Sequence, residues 1–190
     1  EIPLRLVGSE MCIRDRNRRI ADLDKLVQDY MDEYEAAITA LCDIPGIARR
    51  SAEVILAEIG LDMSRFPSAA HLCSWAGVCP GNCQSAGRRK HGKTTKGNKP
   101  LKTILTQCAK SARSVKGSYF SAQYQRIAAR RGKNRATLAV AHSMLIAIYH
   151  MLRNNVPFRD LGSDYYDSFN RDRKIHGYLK LSLIHISEPT

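Results

Sequence analysis

The residues that could do chemistry concentrate in one glycine-rich, strongly basic stretch, GVCPGNCQSAGRRKHGKTTKGNK, over residues 77–99. Ser85 stands there between Gly81 and Gly87, with Arg88, Arg89, Lys90 and Lys93 directly behind it. A serine hydroxyl is a weak nucleophile at its free pKa. Among cations it would meet a phosphodiester whose developing negative charge those cations can stabilise. On spacing alone a loop serine is unremarkable, so at this point Ser85 stays open between a nucleophile and a plain loop residue. Lys93, Lys96, Lys99 and Lys102 recur every third residue from the loop into the following helix. They are candidate contacts to a nucleic-acid backbone, whose affinity would then fall steeply with salt.

Three other constellations compete with that serine. Residues 87–94, GRRKHGKT, match the phosphate-cradling pattern GxxxxGK[ST] letter for letter. That motif needs a buried strand before it and a helix opening at its Lys-Thr pair. Here Gln84-Ser85-Ala86 precedes and Thr95-Lys96-Gly97 follows in what reads as loop, so nucleotide binding is not expected. Cys73, Cys79 and Cys83 with His91 supply zinc-binding residue types, but at irregular spacing and without a C-x2-C pair. Small apolar packing residues in a reducing cytosol account for these thiols better. Asp160, Asp164 and Asp167 could face a divalent ion, although solvated capping residues are the commoner use of such a cluster. No metal ligand is assigned.

Charge narrows the class of function. The 190 residues hold 30 Lys+Arg against 18 Asp+Glu, a formal net charge of +12. Residues 1–62 are net −5 and residues 160–190 net −1, while residues 63–159 hold 18 basic side chains and no carboxylate. Such a surface points to a polyanionic partner, and nucleic acid is the default. It also excludes chemistry: two-metal nucleases and carboxylate acid–base enzymes need clustered Asp/Glu, which this stretch does not contain. No run approaches the roughly 18 consecutive apolar residues of a membrane span, so no membrane partner is expected. With 44% apolar residues and sustained periodicity the chain can bury a core.

The elements that must position the loop read as helices, and the expected fold class is mainly α. From Ile20 the apolar residues fall at Leu23, Val27, Tyr30, Tyr34, Ala37 and Leu41, a heptad seam that predicts a long helix over 17–41, either a coiled-coil-like arm or a helix packed on the body. Residues 42–62 then read as a helix-hairpin-helix. Its Pro45-Gly46 turn is followed by a helix with Ala52, Ile55, Leu56 and Ile59 inward and Gly60 at its end. Such a turn offers backbone N–H groups to a DNA phosphate, with Gly46 as the close-approach residue and Arg49 and Arg50 reinforcing it. An ordinary helical hairpin with two surface arginines is the alternative. Pro67-Ser68 opens a short helix through Trp75, and Gly77 ends it. Asn98 caps a helix running to about Lys116, and further helices cover about Ser118–Arg131 and Asn134–Arg153. The last, with Leu138, Ala141, Leu145, Ile148, Tyr149 and Leu152, is the expected core helix.

The two ends differ in texture from the middle. EIPLRLVGSEMCIRDR (1–16) shows neither helical nor strand period, and LSLIHISEPT (181–190) is an apolar run that stops abruptly. VGSEMCIRDR and SLIHISEPT resemble translated sequencing-adapter sequence. Residues 1–16 and 182–190 are therefore expected to be non-native, with 168–181 a tail and the chain a fragment.

From about Leu41 to Asp167 the sequence resembles the C-terminal domain of a bacterial insertion-sequence transposase family. The matching stretches are IPGI (44–47), AEIG (57–60), RFPSAAHLCSWAGVCPGN (65–82), QSAGRRKHGKTTKGNKPLKTIL (84–105), YQRIAARRGKNRATLAVAHSMLIAIYHMLRN (124–154) and FRDLGSDYYD (158–167). Members join an N-terminal RuvC-like domain with four metal-binding carboxylates to a helical domain with a catalytic serine. The resemblance implies a serine transposase domain over 63–167, with Ser85 attacking DNA to give a phosphoserine intermediate. Ala86 follows that serine, where many members place glycine. The resemblance also implies Mg²⁺ held by the RuvC-like carboxylates outside this chain, a structured guide RNA as a second partner, and a homo-oligomer formed through the arm. A cytoplasmic bacterial protein follows from it, and a C-terminal fragment is expected to bind nucleic acid without recombining it alone. A non-catalytic helix-hairpin-helix DNA-binding module is the alternative.

Overall fold

The computed structural model describes residues 4–79, 84–85, 88–89, 94, 96–166, 168, 171, 175–176 and 178–179, with residues 4–10 and two short strands given by their backbone alone. Nearly all of these are helical, as a mainly-α reading requires. The chain divides into two units, Glu1–Ala36 and Ala37–Thr190.

The first unit is built on α1, Leu4–Met31. It runs through residues 4–16, where the sequence shows no period. That stretch holds no proline and a single glycine, and its Leu, Arg, Glu and Met residues favour helix on their own. On the expected seam Ile20, Leu23 and Tyr30 are exposed and Val27 is half-buried. The helix expected over 17–41 is not continuous. A 3₁₀ turn at Asp32–Tyr34 separates α1 from α2, Glu35–Cys42, with the Glu35 N–H donating to the Asp32 carbonyl. Tighter i→i+3 bonding of this kind commonly starts or ends a helix. It leaves Asp32, Glu33 and Glu35 at the N-terminal end of α2, where negative charge suits the helix dipole.

The second unit is organised on α7, Lys133–Asn154. Helices α4 (Ala69–Ala76), α5 (Lys99–Ala112) and α6 (Tyr119–Arg131) pack on α7, and α3 (Arg49–Ile59) packs on α5. On α7 Val140, Ala141, Met144, Leu145, Ile148 and Tyr149 are buried, while Leu138 and Leu152 are half-buried at the margins of the stripe. Each large apolar side chain removed from water there contributes about 1.5–3 kcal/mol. Among the described residues α7 is the one helix long and apolar enough to cross a membrane, although its longest unbroken apolar run, MLIAIY at 144–149, is far too short to span one. Half of that window is buried, as suits a core helix. α3 buries Ala52, Ile55, Leu56 and Ile59, the four residues its period predicts, and ends at Gly60 with φ +71°. α5 stops at Ala112 rather than near Lys116, because Val115 N–H turns back onto the Ala112 carbonyl at 3.1 Å and Gly117 takes φ +80°.

A few long-range contacts fix the helix directions. The Cys73 thiol lies 3.9 Å from the His142 carbonyl, while the Tyr149 hydroxyl donates to Phe66 O at 3.0 Å and Arg153 Nη1 to Pro67 O at 3.2 Å. α4 is thus antiparallel to α7. Asn98 Nδ2 donates to Glu58 Oε2 at 2.7 Å, and Gly46 lies against Cys108 and Ala112, so α3 is antiparallel to α5. Gly132 joins the C-terminal end of α6 to the start of α7, while the C-terminal ends of α3 and α4 meet at the N-terminal end of α5. The basic loop leaves from that end.

Candidate nucleic-acid interface

The loop carrying Ser85 leaves α4 at Gly77 and rejoins the fold at Asn98, and its two feet are clamped together. Gly77 caps α4 in the left-handed region, and Gly97 has φ +49°. A Cβ on Gly97 would overlap the backbone of Ala76 and Gly77, so only glycine permits this approach. Asn98 completes the clamp. Its N–H donates to Trp75 O at 3.0 Å, its Oδ1 accepts from Leu101 N–H at 2.8 Å, and its Nδ2 holds Glu58. The sequence identifies the cap; the other two bonds link segments far apart in the chain and leave no local pattern.

Within the loop, β1 (Gln84–Ser85) pairs antiparallel with β2 (Arg88–Arg89), placing Ser85 opposite Arg88 and Gln84 opposite Arg89. The sequence reads this stretch as loop throughout, since strands of two residues are too short to show a period. Lys90 and Lys93 lie outside the described residues. Lys96 and Lys99 are exposed at the start of α5. Lys102 is half-buried, its Nζ donating to Thr94 Oγ1 at 2.7 Å, so it ties the loop to α5.

The other predicted contacts sit elsewhere. Gly46 has φ +91°, and a Cβ there would come within 2.6 Å of Cys108 O and Ala112 N, so the glycine is required by the close approach of α5. Arg49 Nε lies 3.1 Å from Glu53 Oε1 and Arg50 Nη1 3.4 Å from Glu53 Oε2, so one carboxylate serves both guanidinium groups. α5 has 14 residues and is about 21 Å long at 1.5 Å per residue. It separates this hairpin from Lys99.

The competing constellations resolve into structural roles among the described residues. Cys73 is fully buried, and that burial, with Cys79 beside it, pushes its thiol up to about 12. Burial also raises the Cys108 thiol. Both therefore stay protonated at neutral pH, and no group of three or more metal-binding side chains exists among the described residues; Cys83 and His91 lie outside them. Asp160 Oδ1 accepts from the N–H groups of Tyr119 and Gly162, each at 2.9 Å, a capping role. Asp164 accepts from the Ser163 hydroxyl at 3.1 Å, and Asp167 is outside the described residues.

An aromatic dock at the start of α6 escapes sequence reasoning altogether. Tyr166 stacks on Tyr119 at 5.2 Å, their hydroxyls bond at 2.7 Å, and the Arg126 guanidinium lies 5.3 Å from the Tyr166 ring centre. Burial and the Tyr119 hydroxyl raise the Tyr166 phenol above its ordinary range. The adjacent Tyr165-Tyr166 pair is the only signal the sequence offers.

Residues 38–125, which include the clamped loop and Ser85, match the model of the transposase IS116/IS110/IS902 family. The chain is similar to insertion-sequence transposases. It is 33% identical over 121 residues to the insertion element IS110 uncharacterized 43.6 kDa protein of Streptomyces coelicolor, covering 60% of this chain and 28% of that protein. It is also 29% identical over 153 residues to the pilin gene-inverting proteins of Moraxella bovis and Moraxella lacunata, covering 77% of this chain and 47% of each. The chain thus spans less than half the length of these curated relatives.

Proposed function

We propose that this chain is the serine-bearing part of an insertion-sequence transposase that cuts and rejoins DNA in the bacterial cytoplasm. One observation carries the reading. Ser85 is held in register with Arg88, in a loop clamped at Gly77 and Gly97, within 97 residues that lack any carboxylate and inside the family-matched stretch. In the proposed step, the Ser85 oxygen forms a bond to phosphorus as the bond from phosphorus to one sugar oxygen breaks. The serine proton leaves to solvent or base, and the released sugar oxygen takes one up. A hydroxyl of another strand then reverses the exchange, so the number of phosphodiester bonds is conserved. Arg88, Arg89, Lys90 and Lys93 would stabilise the extra charge on the phosphoryl oxygens, while Lys96 and Lys99 hold the backbone. Gly46, Arg49 and Arg50 would make a secondary contact at the far end of α5.

The described residues do not fit a Mg²⁺ site, since Asp160 is occupied by two backbone N–H groups and no cluster of ligands is present among them. No step here is routed through that ion. A RuvC-like domain carrying it, and a guide RNA, belong to the proposal for the whole protein. So does self-assembly through α1, supported by exposed Ile20, Leu23, Leu26 and Tyr30. The test is Ser85→Ala in a longer protein that carries residues 17–181. The expected result is retained DNA binding with loss of both recombination and the covalent protein–DNA adduct. Unchanged recombination removes Ser85 from its role and leaves a non-catalytic DNA-binding module.

A further inference from the structure

Trp75 stands on α4 just before the Gly77 foot of the serine loop, and 42% of it remains exposed. Its helix neighbours Leu72, Cys73 and Ala76 are fully buried, so the indole lies at the edge of the face that α4 gives to the core. The ring is nevertheless held. Its centre lies 5.5 Å from that of Phe66, with the two planes tilted by 54°. Phe66 is itself fixed, since its N–H donates to Met63 O at 3.2 Å and its carbonyl accepts from the Tyr149 hydroxyl of α7 at 3.0 Å. The Trp75 carbonyl accepts from Asn98 N–H at 3.0 Å, which sets this residue where the loop rejoins the fold. Exposed Lys96 and Lys99 flank Asn98 in the chain. A fixed, partly exposed aromatic ring among cations is the combination that holds single-stranded nucleic acid, the cations taking the backbone and the ring a base. Duplex DNA keeps its base faces stacked inside and offers such a ring no partner. Strand exchange does offer one, because bases beside the cut must leave one complement before they meet another.

We infer that Trp75 is a stacking platform for an unpaired base of the DNA strand engaged by the serine loop. The inference rests on the nucleic-acid reading proposed above. The ring reads no sequence, since every base has a π-face. It is a positioning residue that holds the strand at the foot of the loop and does not touch the reacting phosphate. Trp75 is the single tryptophan of the chain, so its fluorescence, excited where tyrosine does not absorb, reports on this position alone. The 190-residue chain is titrated with an oligothymidylate of about 20 nucleotides, longer than the usual site of one binding module. Parallel titrations use an abasic deoxyribose-phosphate strand, an oligouridylate and a DNA duplex of the same length, and the anisotropy of a dye on each strand measures binding independently. Oligothymidylate should quench the emission at saturation, while the abasic strand and the duplex, though bound, leave it nearly unchanged. Trp75→Leu should bind oligothymidylate about tenfold more weakly with its affinity for the abasic strand unchanged, and Trp75→Phe should recover most of the loss. Unquenched emission in a parent chain saturated with oligothymidylate overturns the inference whatever the variants do. Equal losses on the two strands, in a Trp75→Leu chain whose thermal midpoint matches the parent, overturn it as well. Quenching by oligouridylate but not by oligothymidylate overturns the assignment to DNA. A parent chain that binds none of the four overturns the nucleic-acid reading itself.

Discussion

At the Pro45-Gly46 end of α5, Arg49 and Arg50 share Glu53 and a glycine lies against helix backbone. At the Lys99 end, Lys96 and Lys99 stand exposed beside a loop from a stretch with no carboxylate. Glycines and cations occur at both ends, yet their work differs. At the hairpin the glycine serves packing and the arginines have an internal counter-ion. At the loop the glycines clamp the chain while Lys96 and Lys99 face outward. The lesson is that a basic residue signals an anionic partner only after its intramolecular partners are counted.

The largest effect expected is steric and falls on both ends alike. Gly46→Ala and Gly97→Ala each force a Cβ into backbone atoms while holding a positive φ, and each should cost at least about 3 kcal/mol in urea unfolding. Gly60→Ala shares the positive φ but meets nothing within 4 Å, and should cost about 1 kcal/mol. Equal losses at all three positions would show that φ alone matters and that neither close approach constrains the fold. Next comes the clamp. Asn98→Ala removes the α5 cap and the bond to Glu58, for an expected loss of about 1–2 kcal/mol. Asn98→Asp keeps an acceptor for Leu101 N–H but sets a carboxylate against Glu58, so it should recover little of that loss at pH 7. Full recovery would mean that the cap alone matters.

The third prediction concerns charge. Lys96→Gln/Lys99→Gln should flatten the log–log salt slope of DNA binding by about 2 and weaken binding about tenfold at moderate salt. Arg49→Gln/Arg50→Gln should change it less, because exposed pairs with Glu53 already occupy those guanidinium groups. Fluorescence anisotropy over a salt series distinguishes the two ends. A larger effect at the arginines would reverse the comparison and restore the hairpin as the principal DNA contact.

What could be read from sequence follows the range of the forces involved. Helices α3 to α7 announce themselves through local periodicity and capping residues, such as Ser118, whose hydroxyl accepts from Ser121 N–H at 3.2 Å. The break at Asp32–Tyr34 does not, because the apolar seam continues across it and only the backbone tightens. Ser85 could be picked out by its basic surroundings, whereas its register with Arg88 depends on a ladder too short for any pattern. The Gly77–Gly97 contact, the three-way role of Asn98 and the Tyr119–Tyr166 dock join residues distant in the chain. Each needs the folded geometry to be seen.

The smallest effect tests whether the two ends differ in packing as well as charge. Cys73 lies on α4 near the loop end and Cys108 on α5 near the hairpin end, and both are buried. A thiol whose folded pKa is raised stays neutral where the unfolded chain would ionise. The stability it contributes is complete below the ordinary thiol value of 9.0 and is lost as pH climbs toward the folded value, about 12 for Cys73. Unfolding titrations should therefore show stability flat from pH 7 to about 8.5 and falling above 9, with Cys73→Ala removing part of the fall. In alkylation at pH 8, exposed Cys12 and Cys42 should react in the folded protein, while Cys73 and Cys108 react only as fast as the chain opens. If Cys73 labels freely and Cys108 does not, the loop end is open at its base, and the contrast between the two ends becomes one of packing rather than of charge.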